Sequence, residues 1–392
     1  MRTTRGRPAV AEDFFGREPD LTRLLHLLAS DNALLLAPRR VGKTSLLHAL
    51  SERWRAEKGR ALYLDLQGAM SERDVPRRLG EAVSGLGDKG LVATASARIG
   101  KALAHVGAIG GSAAGFGLDL KLRDLPDGDW ALAVDGLVRS VAEGSELLVL
   151  IDELPLLVQH LLAQDEGVRR ARTFLDGLRK LRLDPTLRHV HWLVAGSIGL
   201  DTLARRHGFT ASINDFVIAS LGAFDHPTAK ALLDALARGH GASIDEAARD
   251  HLVSRLDWCL PYYVQILFDE ARHAGEAGHI DVLAVDAAWR TLLDAHHRTH
   301  FDHWYTRLAD GLAPADADRA YALLHAASDR TMGLDRDEAR ALVLGGTTTA
   351  DLRDRWAWLV DVLVVDGYLV ADGPRLRFRS PLLREFWRER TR

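Results

Sequence analysis

Hydrophobic positions in the first half of the chain fall into short unbroken runs separated by stretches of helical spacing. The runs are "NALLLA" (Asn32–Ala37), "RALYLDL" (Arg60–Leu66), "ELLVLIDEL" (Glu146–Leu154), "HVHWLVAGS" (His189–Ser197) and "NDFVIASLG" (Asn214–Gly222). Continuous apolar runs with helices between them predict a parallel sheet buried on both faces. One segment departs from this rhythm. Residues 86–122 contain "GAIGGSAAGFGLDLKLR", where glycine and alanine give way to alternation, and the pattern predicts a loop or hairpin inserted before the third strand.

From Asp225 to about Leu308 the pattern is helical throughout, and Pro261 opens one of the helices. Beyond Ala313 come three helical segments and then "GYLVADGPRLRFRS", two short strands around the turn "ADGP". Three helices followed by a hairpin is the winged-helix order. The expected domains are therefore 1–225 with the 86–122 insertion, a helical lid over 226–308, and a winged-helix domain over 309–392.

Composition narrows the class. A chain of 392 residues exceeds one ordinary core. Its net charge of −3 argues against a generally basic nucleic-acid coat. Cys259 is the single cysteine, which excludes an intrachain disulfide and a cysteine zinc site. The basic N-terminus has no apolar run behind it, and no stretch has the length to span a bilayer, so a cytoplasmic location without membrane contact is expected. Arginine greatly outnumbers lysine, which gives weight to Lys43 in the segment considered next.

"APRRVGKTS" follows the first strand and opens a helix, the setting a phosphate loop requires. It meets that pattern at every position but the first, where Ala37 replaces glycine. Pro38, Arg39, Arg40 and Val41 form the loop. Gly42 lets backbone amides approach phosphates at the helix N-terminus. Lys43 supplies a point charge for the β- and γ-phosphates, the Thr44 hydroxyl is a Mg²⁺ ligand, and Ser45 follows it. About a hundred residues on, "LLVLIDELP" ends a strand in two carboxylates. Asp152 suits Mg²⁺ binding and Glu153 the activation of an attacking water. Ser197, after "WLVAG", is placed to sense the γ-phosphate. Arg205 and Arg206 are the candidates for an arginine finger given to a neighbouring subunit, with Arg169, Arg170 and Arg172 behind them. His296, His297, His300 and His303 crowd one segment, but no H-E-x-x-H frame accompanies them, and an aromatic-packed helix is the expectation.

In order, "FFGREPDLTRLLHLL", "APRRVGKTSL", "LIDELPLLV", "LVAGSIGL", "LPYYVQIL" and the closing "GYLV…RLRFRSPLLREFW" resemble the archaeal-type P-loop ATPases, AAA+ relatives near the STAND and origin-recognition branches. The resemblance covers nearly the whole chain. It implies an α/β P-loop NTPase fold of ASCE/AAA+ type with a five-stranded parallel sheet, then a helical lid and a C-terminal winged helix. It also places the third and fourth strands beside the P-loop strand, sets Phe15, Gly16 and Arg17 near the adenine of ATP or ADP, and brings Pro261 to the same place from the lid. The first turn of the Pro261 helix lacks the lid arginine of many AAA+ motors, which favours a nucleotide-controlled switch over a processive motor.

Two uses remain open. A switch would move the winged domain towards a protein partner. A DNA-associated enzyme would contact duplex DNA through Arg375, Arg377 and Arg379, which alternate along one strand face. The helix that would enter the major groove carries Asp351, Asp354, Asp361 and Asp366 beside Arg353 and Arg355, an acidic balance that phosphate proximity penalises. Oligomerisation on nucleotide binding fits either use.

Overall fold

The computed structural model describes residues 1–4, 6–105, 128–196, 199–345 and 350–390, with Leu118, Leu122 and Leu125. The chain divides into two compact units. One comprises Glu18–Ala37 and Thr44–Ser220; the other comprises Met1–Arg17, Pro38–Lys43 and Leu221–Arg392.

The first unit is built on strands β1 (Asn32–Leu36), β2 (Gly59–Asp65), β3 (Glu146–Asp152), β4 (Val190–Gly196) and β5 (Phe216–Ser220). They form one parallel sheet in the order β2-β3-β4-β1-β5. Its leucine-rich central strands are buried on both faces, which is why their apolar runs are continuous rather than alternating. Of the two strands expected beside β1, β4 pairs with it directly and β3 lies one strand further out. Register sets Leu36 opposite both Gly196 and Ser220, and Asp65 opposite Asp152, so the carboxyl ends of the strands share one edge. In open α/β sheets that edge is where ligands bind.

Helices α1 (Glu18–Leu27), α2 (Lys43–Glu57), α3 (Asp74–Ser84), α4 (Lys89–His105), α5 (Trp130–Ala142), α6 (Leu154–Leu162), α7 (Gly167–Arg182) and α8 (Leu200–His207) flank the sheet. The expected loop or hairpin over 86–122 is corrected by α4. Leu91, Ala95, Ile99 and Leu103 recur at four-residue spacing and are all buried, so this stretch folds as a helix with one apolar stripe. Leu118 and Leu122 have helical backbone and are buried as well. The glycine-rich piece, residues 107–117, lies outside the described residues.

The second unit holds α9 (His226–His240), β6 (Ser243–Ile244), α10 (Glu246–Leu256), α11 (Pro261–Ala274), β7 (His279–Ile280) and α12 (Val282–Leu293), followed by α13 (Asp302–Gly311). Asp225 and Asp281 cap α9 and α12 by accepting the Thr228 and Ala284 amides, each at 2.8 Å. Next come α14 (Pro314–Ser328), β8 (Leu334–Asp335), α15 (Arg336–Leu344), α16 (Ala350–Val365), β9 (Leu369–Asp372), β10 (Arg375–Phe378) and α17 (Pro381–Arg390). The expected hairpin is present as β9–β10, and β8 joins it in a three-stranded sheet, β8-β10-β9. Fully buried Trp304, Tyr368 and Trp387 form the aromatic centre, and the Tyr368 hydroxyl donates to the Trp304 carbonyl at 2.7 Å. Asp316, wholly buried on α14, is held by Arg355 of α16 at 3.0 Å and by Arg319 at 3.3 Å.

Candidate nucleotide-binding site

The sheet edge carries the first pair of site residues. Asp152 is the last residue of β3 and is only 2% exposed. One carboxylate oxygen, Oδ1, accepts the Glu153 amide at 3.0 Å. The other, Oδ2, accepts the Thr44 hydroxyl at 3.1 Å and faces the Tyr63 hydroxyl at 3.4 Å. Glu153, half-buried, has φ 58° and ψ 30°, a left-handed conformation that a glutamate adopts only where its surroundings impose it. It ends the strand and starts α6 in a single residue, which turns the chain sharply at the two carboxylates.

Tyr63 is a site residue that sequence reasoning missed. It stands on β2 with its ring against His48, centroids 4.5 Å apart. Burial first, and then the negative charges of Asp152 and Asp65, push its hydroxyl well above the ordinary tyrosine range. It therefore stays protonated and donates to Asp152. An apolar run ending in Asp152 and Glu153 was the only sequence signal, and it pointed to β3 rather than to its neighbour.

The loop from Pro38 to Lys43 belongs to the other unit. Gly42 has φ +92°, and a Cβ built there meets no atom within 4 Å. Glycine is needed for the backbone conformation, and the space before it is open. Arg40 is also left-handed, at φ +67°. Val41 is fully buried and Lys43 is 7% exposed. Arg17 braces the loop: its Nη2 donates to the Val41 carbonyl at 2.9 Å and to the Gly222 carbonyl at 2.7 Å. Its guanidinium also lies over the Phe224 ring at 4.4 Å. Gly16 precedes it with φ +68°, and a Cβ there would come within 2.7 Å of Thr228. The resemblance sets Phe15, Gly16 and Arg17 near an adenine; in the structure Arg17 is a buried brace on the loop backbone.

Pro261 is the first residue of α11 and follows extended Leu260. Cys259 is buried, and burial pushes its thiol up to about 12, so it is an inert packing residue. Tyr262 places its ring under Arg40, 4.3 Å from the guanidinium carbon, and its hydroxyl is 2.7 Å from Nδ1 of His300. The histidine-rich segment is not one helix. Ala295–His300 is a 3₁₀ turn, and His303 sits on α13. Among the described residues no group of three potential metal-binding side chains occurs.

Arg205 and Arg206 are exposed near the end of α8, with Arg205 close to Asp201 at 3.5 Å. Arg170 is tied to Glu72 at 2.6 and 3.0 Å, Arg172 to the Gly208 carbonyl at 3.0 Å, and Arg169 to Glu166. Ser197 lies outside the described residues. The β10 arginines alternate as expected but differ in exposure. Arg375 is exposed, Arg377 is drawn to Asp257 at 3.5 Å, and Arg379 is half-buried over Trp258 at 5.6 Å.

No family model and no curated protein matches the chain. Solved structures do. A Walker-type ATPase of Pyrococcus abyssi shares 17% identity, with 98% of this chain and 99% of that one covered at a TM-score of 0.66. The ORC2 protein of Aeropyrum pernix, solved in ADPNP–ADP complexes, shares 15% identity over 98% and 96%, at a TM-score of 0.55. The fold is that of the AAA+ P-loop ATPases. Within the AAA+ sheet order, β4 separates the P-loop strand β1 from β3, whose last residue is Asp152. Among the described residues no helix is long and apolar enough to cross a membrane.

Proposed function

We propose that this chain is a cytoplasmic, Mg²⁺-dependent ATPase that works as a nucleotide-controlled switch. In this reading ATP hydrolysis repositions the C-terminal winged-helix region, residues 309–392, towards a protein partner. The observation that carries the ATPase reading is the Thr44 hydroxyl on the Asp152 carboxylate, 3.1 Å apart. The two belong to the helix after the phosphate loop and to the end of β3, and both offer hard oxygen donors. Mg²⁺ takes one or two protein oxygens of this kind and fills its other positions with water and phosphate, so the residues fit it. When bound, it supplies charge neutralisation between phosphate oxygens. The open space before Gly42 suits the phosphates of ATP or ADP.

The chain's own groups then divide the work. Lys43 neutralises β- and γ-phosphate charge, and Glu153 orients and polarises the attacking water. Thr44 and Asp152 would hold the metal. Ala37–Ser45 cradle the phosphates, and Phe15, Gly16, Arg17 and Pro261 are assigned to the adenine end. Ser197 senses the γ-phosphate, while Arg205 or Arg206 completes the site of a neighbouring copy in a nucleotide-induced oligomer. Their exposure on α8 supports that assignment.

The protein-partner reading is supported over DNA by the C-terminal charges. Duplex contact through β10 would fall on Arg375, because Arg377 faces Asp257 and Arg379 is half-buried against Trp258. Arg355 on α16 is committed to Asp316. Filter binding to duplex DNA at low salt tests this. Equal retention of wild type and Arg375→Glu supports the switch, whereas a loss confined to Arg375→Glu supports the DNA-associated reading.

A further inference from the structure

We propose that Arg40 of the phosphate loop is a two-position latch, its guanidinium exchanging between the Tyr262 ring and a phosphate oxygen of bound nucleotide. The inference rests on the nucleotide reading above and names how that site is regulated. Four observations carry it.

First, Arg40 holds a left-handed backbone, φ +67°, in a loop whose other residue of that kind is Gly42. An arginine accepts this conformation only where something holds it. Second, its guanidinium carbon lies over an uncharged ring, 4.3 Å from the Tyr262 centroid. A cation–π contact is weaker than a charge-assisted hydrogen bond to phosphate, so an arriving anion wins the guanidinium. Third, His303 lies near cations from the loop and from its own helix, of which Arg307 is paired with Asp366 at 3.2 Å. That imidazole is mostly buried, and neither ring nitrogen has a hydrogen-bond partner among the described residues. Burial, then the charges of Arg40, Arg39 and Arg307, hold it down to about 2, so it stays neutral. Two of those charges, Arg39 and Arg40, belong to the loop and face a neutral imidazole.

Fourth, the latch has an output. Tyr262 follows Pro261 in the first turn of α11, and its hydroxyl meets His300. The next residue, Phe301, packs on Phe386 of α17 with centroids 5.1 Å apart. Releasing Arg40 from Tyr262 therefore loosens a chain of contacts that ends on the C-terminal helix.

The test is a thermodynamic cycle read by titration with fluorescent methylanthraniloyl-ADP, using wild type, Tyr262→Leu, Arg40→Gln and the double variant, with Lys43→Ala as the control. Tyr262→Leu removes the competitor for Arg40 and is expected to tighten ADP binding about 2- to 30-fold, the range of a cation–π contact. In the Arg40→Gln background the same change is expected to alter affinity less than about 2-fold. Hydrogen exchange at Phe301 and α17 should rise in Tyr262→Leu to the level of the ADP-bound wild type. Tyr262→Met serves if leucine is not tolerated. Unchanged or weaker ADP binding by a folded Tyr262 variant overturns the latch, as does an equal effect in both Arg40 backgrounds. If wild type binds ADP and Lys43→Ala does not, such a result removes the latch alone. If folded wild type binds no ADP, the nucleotide reading fails and the latch falls with it.

Discussion

Replacing Arg17 with methionine removes one charged nitrogen from two backbone carbonyls and leaves the rest of the side-chain volume nearly filled. The wild-type bonds are 2.9 Å to Val41 and 2.7 Å to Gly222, and the residue is 6% exposed. Leaving the buried Val41 carbonyl unsatisfied costs about 1–3 kcal/mol, whereas the carbonyl of exposed Gly222 can turn to water. Relief of the buried guanidinium's own desolvation offsets part of this. Methionine keeps contact with Phe224 but loses the cation–π contribution, about 0.5–2 kcal/mol. The net expectation is a loss of about 1–3 kcal/mol in the unit that contains the loop. Urea unfolding should be followed by two probes, because a chain of two compact units is not assured of a single transition. ADP affinity should fall as well, since Val41 lies beside Gly42. Stability within about 0.5 kcal/mol of wild type, together with unchanged ADP affinity, would refute the bracing role.

Four other residues give shorter tests. Asp316→Asn leaves Arg355 and Arg319, each about a third exposed, beside a neutral group, and should destabilise the C-terminal region by about 1–3 kcal/mol in denaturant. Hydrogen bonds from Thr186, and then from Arg139, lower Asp184 from 3.8 to about 2. Its contribution is thus present above pH 3.8 and is lost as pH falls to about 2, so thermal midpoints of wild type and Asp184→Asn should differ at pH 6 and converge near pH 2. Tyr63→Phe removes a long hydrogen bond to Asp152 and should raise the Mg²⁺ concentration for half-maximal ATP binding by no more than about 3-fold, with Mg²⁺-free affinity unchanged. Arg170→Ala breaks a paired contact that keeps Glu72 below its ordinary range although burial alone would raise it; the carboxyl's NMR titration midpoint should move up.

The parts of this molecule legible in the sequence are those encoded locally. The phosphate loop sits between an apolar run and a helix start, and the two carboxylates end another apolar run, so spacing alone located β1, α2 and β3. The α4 stripe, Leu91, Ala95, Ile99 and Leu103, was present as a four-residue period but was masked by the neighbouring glycines and alanines. Strand β8 is two residues long and has no period to show; it forms because Leu334 and Asp335 meet β10. The brace and the latch lie beyond sequence reading for a different reason. Arg17 reaches partners 24 and 205 residues away, and Arg40 meets Tyr262 only after the lid has folded. The exposure of Arg377 and Arg379 is likewise decided by Asp257 and Trp258, far along the chain from them.

The central claim is that Glu153 serves water attack on nucleotide held by Lys43, Thr44 and Asp152. It is tested most directly by phosphate release from ATP in Mg²⁺, comparing wild type with Glu153→Gln, while nucleotide binding is measured in parallel. The account predicts measurable turnover by wild type, a fall of about 10²–10⁴-fold in Glu153→Gln, and ATP binding retained in both. Equal turnover in the two proteins, or ATP binding without any wild-type turnover, would contradict it.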